Sequence, residues 1–500
     1  MRSQYLKTVK TAILAISVLL LGASLSLAQV NLGAGPAAAT LPDGTSVPMW
    51  GYTCGAVTGT ATCAALNTSG SWSPVIITVP SGQDLQINLT NNLVFGANKI
   101  PTSLVIVGQL GGGLGDTTQR TTTSSPTHAS QSTTWPIANA GATNTPPAQG
   151  PRVQSFSTEV AGGASSTSPL VWKAPRPGTY LLESGTHPSI QGAMGLYGIV
   201  VVTTAPTAPA GGAQTPGTAY SGVPYNAEIP LLFSEIDPVQ NNAVNIAVNS
   251  AGFSETAVWS GQPGGCGNPA SPTFGSCYPP AVNYKPLYYL INGLAFNKTN
   301  ASASLFAATP GSTASPVSGS VLVRLVNAGL RMHVPSIVGS QVGNGTPVSG
   351  LALIAEDGNP LPGVPRVQNE VFLAAGKTYD VMINVPTGTT ALPIYDRELS
   401  LSANATARDS GMLAYISVNG AGLPGNSAFT AAIARNDQYN SVVSGKSLTV
   451  SDPGQGVIAN DTNVFGVQLL SAPTGGTVTL NRDGTFSYVA NAGTTSDSFT

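Results

Sequence analysis

The chain reads as an all-β protein, and three features of the sequence say so. Charged residues make up only 8% of it, while Gly (58) and Pro (39) are abundant. Helix surfaces need Glu, Lys and Leu, whereas short strands joined by Gly/Pro turns suit this mixture. Several segments alternate apolar and polar residues with period two, and beyond the N-terminal apolar run none carries a convincing helical period. Antiparallel sandwiches or barrels follow.

The first element is an export signal. Arg2, Lys7 and Lys10 make a basic start, Ala12 to Leu27 an apolar run, and Ser26-Leu27-Ala28 a small-x-small cleavage site before Gln29. A membrane anchor is the rival reading, but the run is short and broken by Ser17, Gly22, Ser24 and Ser26. No later stretch is long and apolar enough to span a bilayer, so a secreted or cell-surface protein without a transmembrane helix is expected. A net charge of -2 with no basic patch excludes nucleic acid as an expected partner. Low charge with many apolar residues suits association with extracellular or cell-surface macromolecules.

The four cysteines fall in two close pairs, Cys54 with Cys63 and Cys266 with Cys277. In an exported protein such spacing predicts two local disulfides, each contributing ~2–3 kcal/mol by loop closure. A metal site is the alternative, but neither pair has Cys-x-x-Cys spacing or a neighbouring histidine.

Strands are legible along the body of the chain. In the segment 84–90, Leu85, Ile87 and Leu89 point one way and polar residues the other. Segments 321–326 and 379–385 behave similarly, with Tyr379, Val381, Ile383 and Val385 on one face. Two stretches stand apart. Residues 111–152 are rich in Gly, Ser, Thr, Asn and Pro, and read as a long surface excursion. Its Gly111-Gly-Gly-Leu-Gly115 run precedes no helical pattern, so a turn is expected there and no phosphate loop. Residues 203–222, with Pro206, Pro209, Gly211, Gly212 and Pro216, read as an interdomain linker.

A last unit begins near Ser444. Gly475-Gly-Thr-Val-Thr-Leu480 and Thr485-Phe-Ser-Tyr-Val489 flank Asp483-Gly484, a strong hairpin signal. Together with Gly456-Val-Ile-Ala-Asn-Asp-Thr462, this series resembles the cadherin-like and immunoglobulin-like repeats of large bacterial surface proteins. Those repeats continue past the point matched by Asp497-Ser-Phe-Thr500, so a longer natural protein is expected.

The body of the chain resembles secreted bacterial multicopper oxidases, which are built from cupredoxin domains. Leu41-Pro-Asp-Gly-Thr-Ser-Val-Pro-Met-Trp-Gly-Tyr52 looks like their opening strand, and residues 79–92 like their second strand and turn. Gly178-Thr-Tyr-Leu-Leu-Glu-Ser-Gly-Thr-His-Pro188, followed by Gly195-Leu-Tyr-Gly198, is similar to the end of a first cupredoxin domain. Ser234-Glu-Ile-Asp-Pro238, Tyr289-Leu-Ile-Asn-Gly293, Arg324-Leu-Val-Asn-Ala-Gly329 and Ala375-Gly-Lys-Thr-Tyr-Asp-Val381 fit the second. The resemblance implies two cupredoxin-type β-sandwich domains plus a partial immunoglobulin/cadherin-like β-sandwich. The division is a signal peptide at 1–28, cupredoxin-like domains at 29–205 and 223–421, linkers at 206–222 and 422–443, and the partial repeat at 444–500.

The same resemblance implies copper, bound through His-x-His pairs and a blue-copper Cys with two His. The positions that match the first two pairs hold Val105 with Val107 and Glu183 with Gly185. Valine has no lone pair to donate and glycine has no side chain. The chain has three histidines, His128, His187 and His333, and no His-Cys-His. Glu183 and His187 are the one weak candidate metal pair, since they lie four residues apart across a turn. His128 is expected to be solvated and His333 to be a satisfied structural histidine. Glu235 and Asp237 alternate along a strand and are candidates for an acid–base pair, although the Asp-Pro reads better as a strand-ending turn. Glu356-Asp357-Gly358 is expected to be a turn. Asn460-Asp461 is a candidate calcium site, for which a capped turn is the competing account.

No catalytic residue and no cofactor is therefore assigned within these 500 residues. The favoured reading is a non-catalytic cell-surface or matrix module that has lost its copper. The alternative is the N-terminal part of an exported copper oxidase, acting on a metal such as manganese or on phenols, whose ligands lie after residue 500.

Overall fold

The computed structural model describes residues 28–114, 157–251, 253, 284–343, 345–401, 411–425, 432–464 and 466–500. The expected signal peptide up to Leu27, His128, Cys266 and Cys277 lie outside the described residues. The all-β expectation holds: two β-sandwiches are followed by a smaller three-stranded sheet.

The longer strands of the first sandwich are β1 (Ala28–Thr40), β2 (Ser46–Thr58), β3 (Thr62–Ala65), β4 (Val75–Pro80), β5 (Leu85–Asn91), β6 (Val105–Ile106), β7 (Leu170–Trp172), β8 (Gly178–Glu183) and β9 (Tyr197–Thr203). One sheet runs β7-β5-β1-β2 and the other β3-β4-β9-β8-β6. Strands β1 and β5 pair in parallel, as do β4 and β9. The alternation in β5 does what it predicts, sending Leu85, Ile87 and Leu89 into the core. Cys54 within β2 is bonded to Cys63 in β3, with their Cα atoms 5.7 Å apart. Gly111 and Gly112 form a turn laid on Trp172, where a Cβ on Gly111 would fall 2.4 Å from the indole. The glycine run serves close packing.

The second sandwich is entered through a hairpin, β10 (Gly217–Tyr220) and β11 (Val223–Tyr225), within and just after the expected linker. Ala219, Tyr220 and Tyr225 are buried there against Leu322 and Ala355. Its longer strands are β12 (Ala227–Ile236), β13 (Tyr288–Ile291), β14 (Leu305–Ala307), β15 (Ser320–Asn327), β16 (Pro335–Ile337), β17 (Leu351–Glu356), β18 (Thr378–Asn384), β19 (Leu392–Asp396) and β20 (Leu413–Ser417). They form sheets β13-β12-β15-β18-β17 and β14-β20-β19-β16. Asp357 and Gly358 carry the expected turn, both with positive φ.

Among the described residues two α-helices interrupt this pattern, α1 (Pro188–Gln191) and α2 (Pro238–Asn249). The second corrects the expectation that no helix follows the signal. Its buried face is Gln240, Asn241, Val244, Ala247 and Val248, while Val239 and Ile246 are exposed. Two amides inside and two aliphatics outside erase the apolar period. The start signal was present nonetheless: Asp237 accepts hydrogen bonds from the amides of Val239 and Gln240, and Pro238 follows it.

The sandwiches pack against each other through a shared apolar layer that includes Trp72, Leu181, Tyr197, Leu232, Ile236 and Leu290. Trp72 lies edge-on to Tyr197 and donates to the carbonyl of Trp50 at 2.9 Å. Beside it is a buried polar bridge. Arg324 contacts Glu228 at 2.6 Å, Thr179 of the first sandwich at 2.9 Å and Asp380 at 3.5 Å. Thr179 and Tyr220 both donate to Asp380.

The third unit joins β21 (Ser447–Val450), β22 (Gly476–Leu480) and β23 (Phe486–Ala490) in the order β21-β23-β22. The Asp483-Gly484 hairpin forms as expected. Tyr439, from the expected second linker, packs on Phe486 at 4.8 Å between ring centres.

Candidate functional site

Strands β6 and β8 pair antiparallel with Val105 opposite Glu183. The sequence-matched copper positions of two separate motifs are thus cross-strand neighbours. Val107 continues the pairing by donating its amide to Leu181 O at 2.9 Å. Gly185 is buried in the turn after β8, and His187 stands at the N-cap position of α1 in a left-handed conformation with φ 42°, its side chain making no capping bond.

The interior behind this strand pair holds hydroxyls and one amide, not imidazoles. Thr102, Ser103, Ser184, Thr186 and Gln191 are all fully buried. Thr102 and Ser184 donate to Gln191 Oε1 at 2.8 and 2.6 Å. Gln191 Nε2 donates to Pro101 O at 2.8 Å, and the Thr186 hydroxyl is hydrogen-bonded to Ser103 Oγ and donates to Glu159. Such a closed network satisfies its own polar groups. Hydroxyls, an amide, valines and a glycine do not fit copper, which takes imidazole and thiolate. Burial pushes the Glu183 carboxyl up and the His187 imidazolium down. Among the described residues neither belongs to a convergent group of three or more His, Cys, Asp or Glu donors.

A second cluster lies at one end of the second sandwich, around His333. The ring is fully buried. Its Nε2 is 2.5 Å from Glu235 Oε1 and its Nδ1 is 2.9 Å from Asp396 Oδ2. Both nitrogens are satisfied, as expected for a structural histidine. Burial acts to lower its pKa, but the hydrogen bonds and charges of Asp396 and Glu235 raise it to about 9. For Asp396, burial is outweighed by His333 and the Val334 amide, and its carboxyl is held below the usual range.

Each carboxylate is itself anchored. Glu235 accepts from the amides of Leu330 and Arg331 and from the Tyr284 hydroxyl. Asp396 accepts from the amides of Val334 and Glu398. Gly329 must lack a side chain, because a Cβ there would fall 2.2 Å from Glu235 Oε2. Glu235 and Asp237 therefore do not form an acid–base pair: one holds His333 and the other caps α2. The partners of His333 were missed because Glu235, His333 and Asp396 are far apart in sequence. His333, Asp396 and Glu398 are the one group of at least three potential metal donors found among the described residues.

No family model matches the chain, and no curated protein matches it. Among solved structures it is similar to a blue copper oxidase from Nitrosomonas europaea, with 16% identity over 78% of this chain and 85% of that one and a TM-score of 0.44. The multicopper oxidase mgLAC gives 15% identity, 80% and 89% coverage and a TM-score of 0.43. A multi-copper oxidase from Pseudomonas thermotolerans gives 14%, 93% of both chains and 0.42. These overlaps are loose, and the all-β, two-sandwich architecture stands on the strand pairings themselves.

Proposed function

We propose that the two sandwiches are cupredoxin-type modules without copper chemistry, acting as a binding or structural unit of an exported, cell-surface or matrix protein. The observation that carries this reading is the buried Thr102–Ser184–Gln191 network behind Val105 and Glu183, where the resemblance would put imidazoles. A sandwich core needs no metal, since alternating strands supply its buried apolar area. The low charge of the chain and its Cys54–Cys63 bond suit an extracellular setting.

The test is copper reconstitution of residues 29–500, followed by oxygen uptake with phenols or manganese(II). The expected result is no oxygen uptake and no thiolate-to-copper absorption band. Several coppers per chain together with oxygen uptake would overturn the proposal. The same assay on any longer gene product tests the alternative, an oxidase whose ligands are supplied by later domains.

A further inference from the structure

We propose that His333 Nδ1, Asp396 and Glu398 form a binding site for one divalent transition cation, a site separate from the positions where the family resemblance implies copper. Their donor atoms all lie within 4.8 Å of one another. Two of the residues are buried and Glu398 is exposed, so the cluster has an opening to solvent.

The far side of the ring is what distinguishes this cluster from a chance gathering of acids. A metal-binding histidine almost always gives its other ring N–H to a carboxylate, which fixes the ring and makes it a stronger base. Glu235 occupies that place on Nε2, and two backbone amides and Tyr284 hold Glu235. Asp396 is likewise oriented: its Oδ1 accepts the amides of Val334 and Glu398, leaving Oδ2 toward His333. The Asp396–Leu399 turn is closed by the Leu399 amide donating to Asp396 O at 3.0 Å. Arg397, between the two acidic ligands, is paired with Glu370.

The donors start near cation geometry, and Glu398 has to close in from as far as 4.8 Å. Tetrahedral coordination with bonds of ~2.0–2.1 Å places donors about 3.3 Å apart. The 2.9 Å between Nδ1 and Asp396 Oδ2 has to widen by a few tenths of an ångström, and Oδ2 has to swing aside from the Nδ1 hydrogen-bond direction so that the cation can take it. The cation takes the place of the Nδ1 proton, which leaves to solvent. One imidazole and two carboxylates suit zinc and its neighbours, and three protein ligands leave a fourth position for water.

Zinc is the probe. The full chain, stripped with a chelator, is titrated with zinc against a chromophoric competitor and then melted with and without the metal. One zinc per chain and a raised Tm are expected. Glu398→Gln, an exposed change, should leave the metal-free Tm as it was, weaken zinc binding at least tenfold and shrink the zinc-dependent rise. Absence of zinc uptake by the parent chain overturns the proposal, and so does wild-type zinc affinity in Glu398→Gln. Neither result bears on oxygen uptake, so this inference and the copper-free reading fail separately.

Discussion

Glu183 stands directly across from Val105 in the pairing of β8 with β6. A half-buried carboxylate beside an aliphatic neighbour is a costly arrangement, and its pKa is raised by burial. The folded protein therefore binds this proton more tightly than the unfolded chain. Stability drawn from the protonated form is present at low pH and is lost as pH rises through the raised folded value. Glu183→Gln should raise Tm at pH 7, and its advantage should shrink as pH falls toward 4. Thermal melts of both proteins across that range check the sign.

The layer between the sandwiches should act as a core in its own right. Trp72 is almost fully buried there, against Tyr197 and the Trp50 carbonyl. Trp72→Ala should cost ~3–5 kcal/mol. Guanidinium unfolding watched by calorimetry and circular dichroism should then show the two sandwiches melting apart.

Arg324 is an ion buried in that same junction, with Glu228 and Asp380 as its counter-charges. Burial pushes the Asp380 carboxyl up in spite of Arg324, Thr179 and Tyr220. Arg324→Met leaves both carboxylates uncompensated and should cost ~3–5 kcal/mol. Adding Asp380→Asn should recover part of that loss, a coupling that a double-mutant cycle in urea measures.

Asp237 caps α2 and also accepts from the Lys285 amide at 2.8 Å. Asp237→Ala should destabilise by about 1–2 kcal/mol. Asp237→Asn, which keeps an acceptor, should lose less. Urea midpoints of the two variants decide whether the side chain acts as a cap.

Much of the fold was legible from period and punctuation. Leu85, Ile87 and Leu89 alternate into the core, Asp357-Gly358 and Asp483-Gly484 turn, and Cys54 joins Cys63. Helix α2 was hidden because Gln240 and Asn241 face inward and Ile246 outward, so its apolar stripe is broken. The pairing of Val105 with Glu183 was foreshadowed by two motifs. The cluster around His333 was not, since Glu235, His333 and Asp396 come from three separate segments.

The sequence by itself determined the class of the protein: side-chain alternation and turn residues are local properties, and they fix strands wherever a face is buried. It also determined which donors exist to bind a metal, because three histidines cannot be multiplied by folding. Only the tertiary structure decided which polar residues are buried together. Arg324 sits in a strand buried on both faces, and its guanidinium reaches Thr179 of the first sandwich. His333 gains Glu235 and Asp396 in the same way. Contacts between distant segments depend on how layers stack, and the cost of burying an unpaired charge selects the stacking in which each finds its partner.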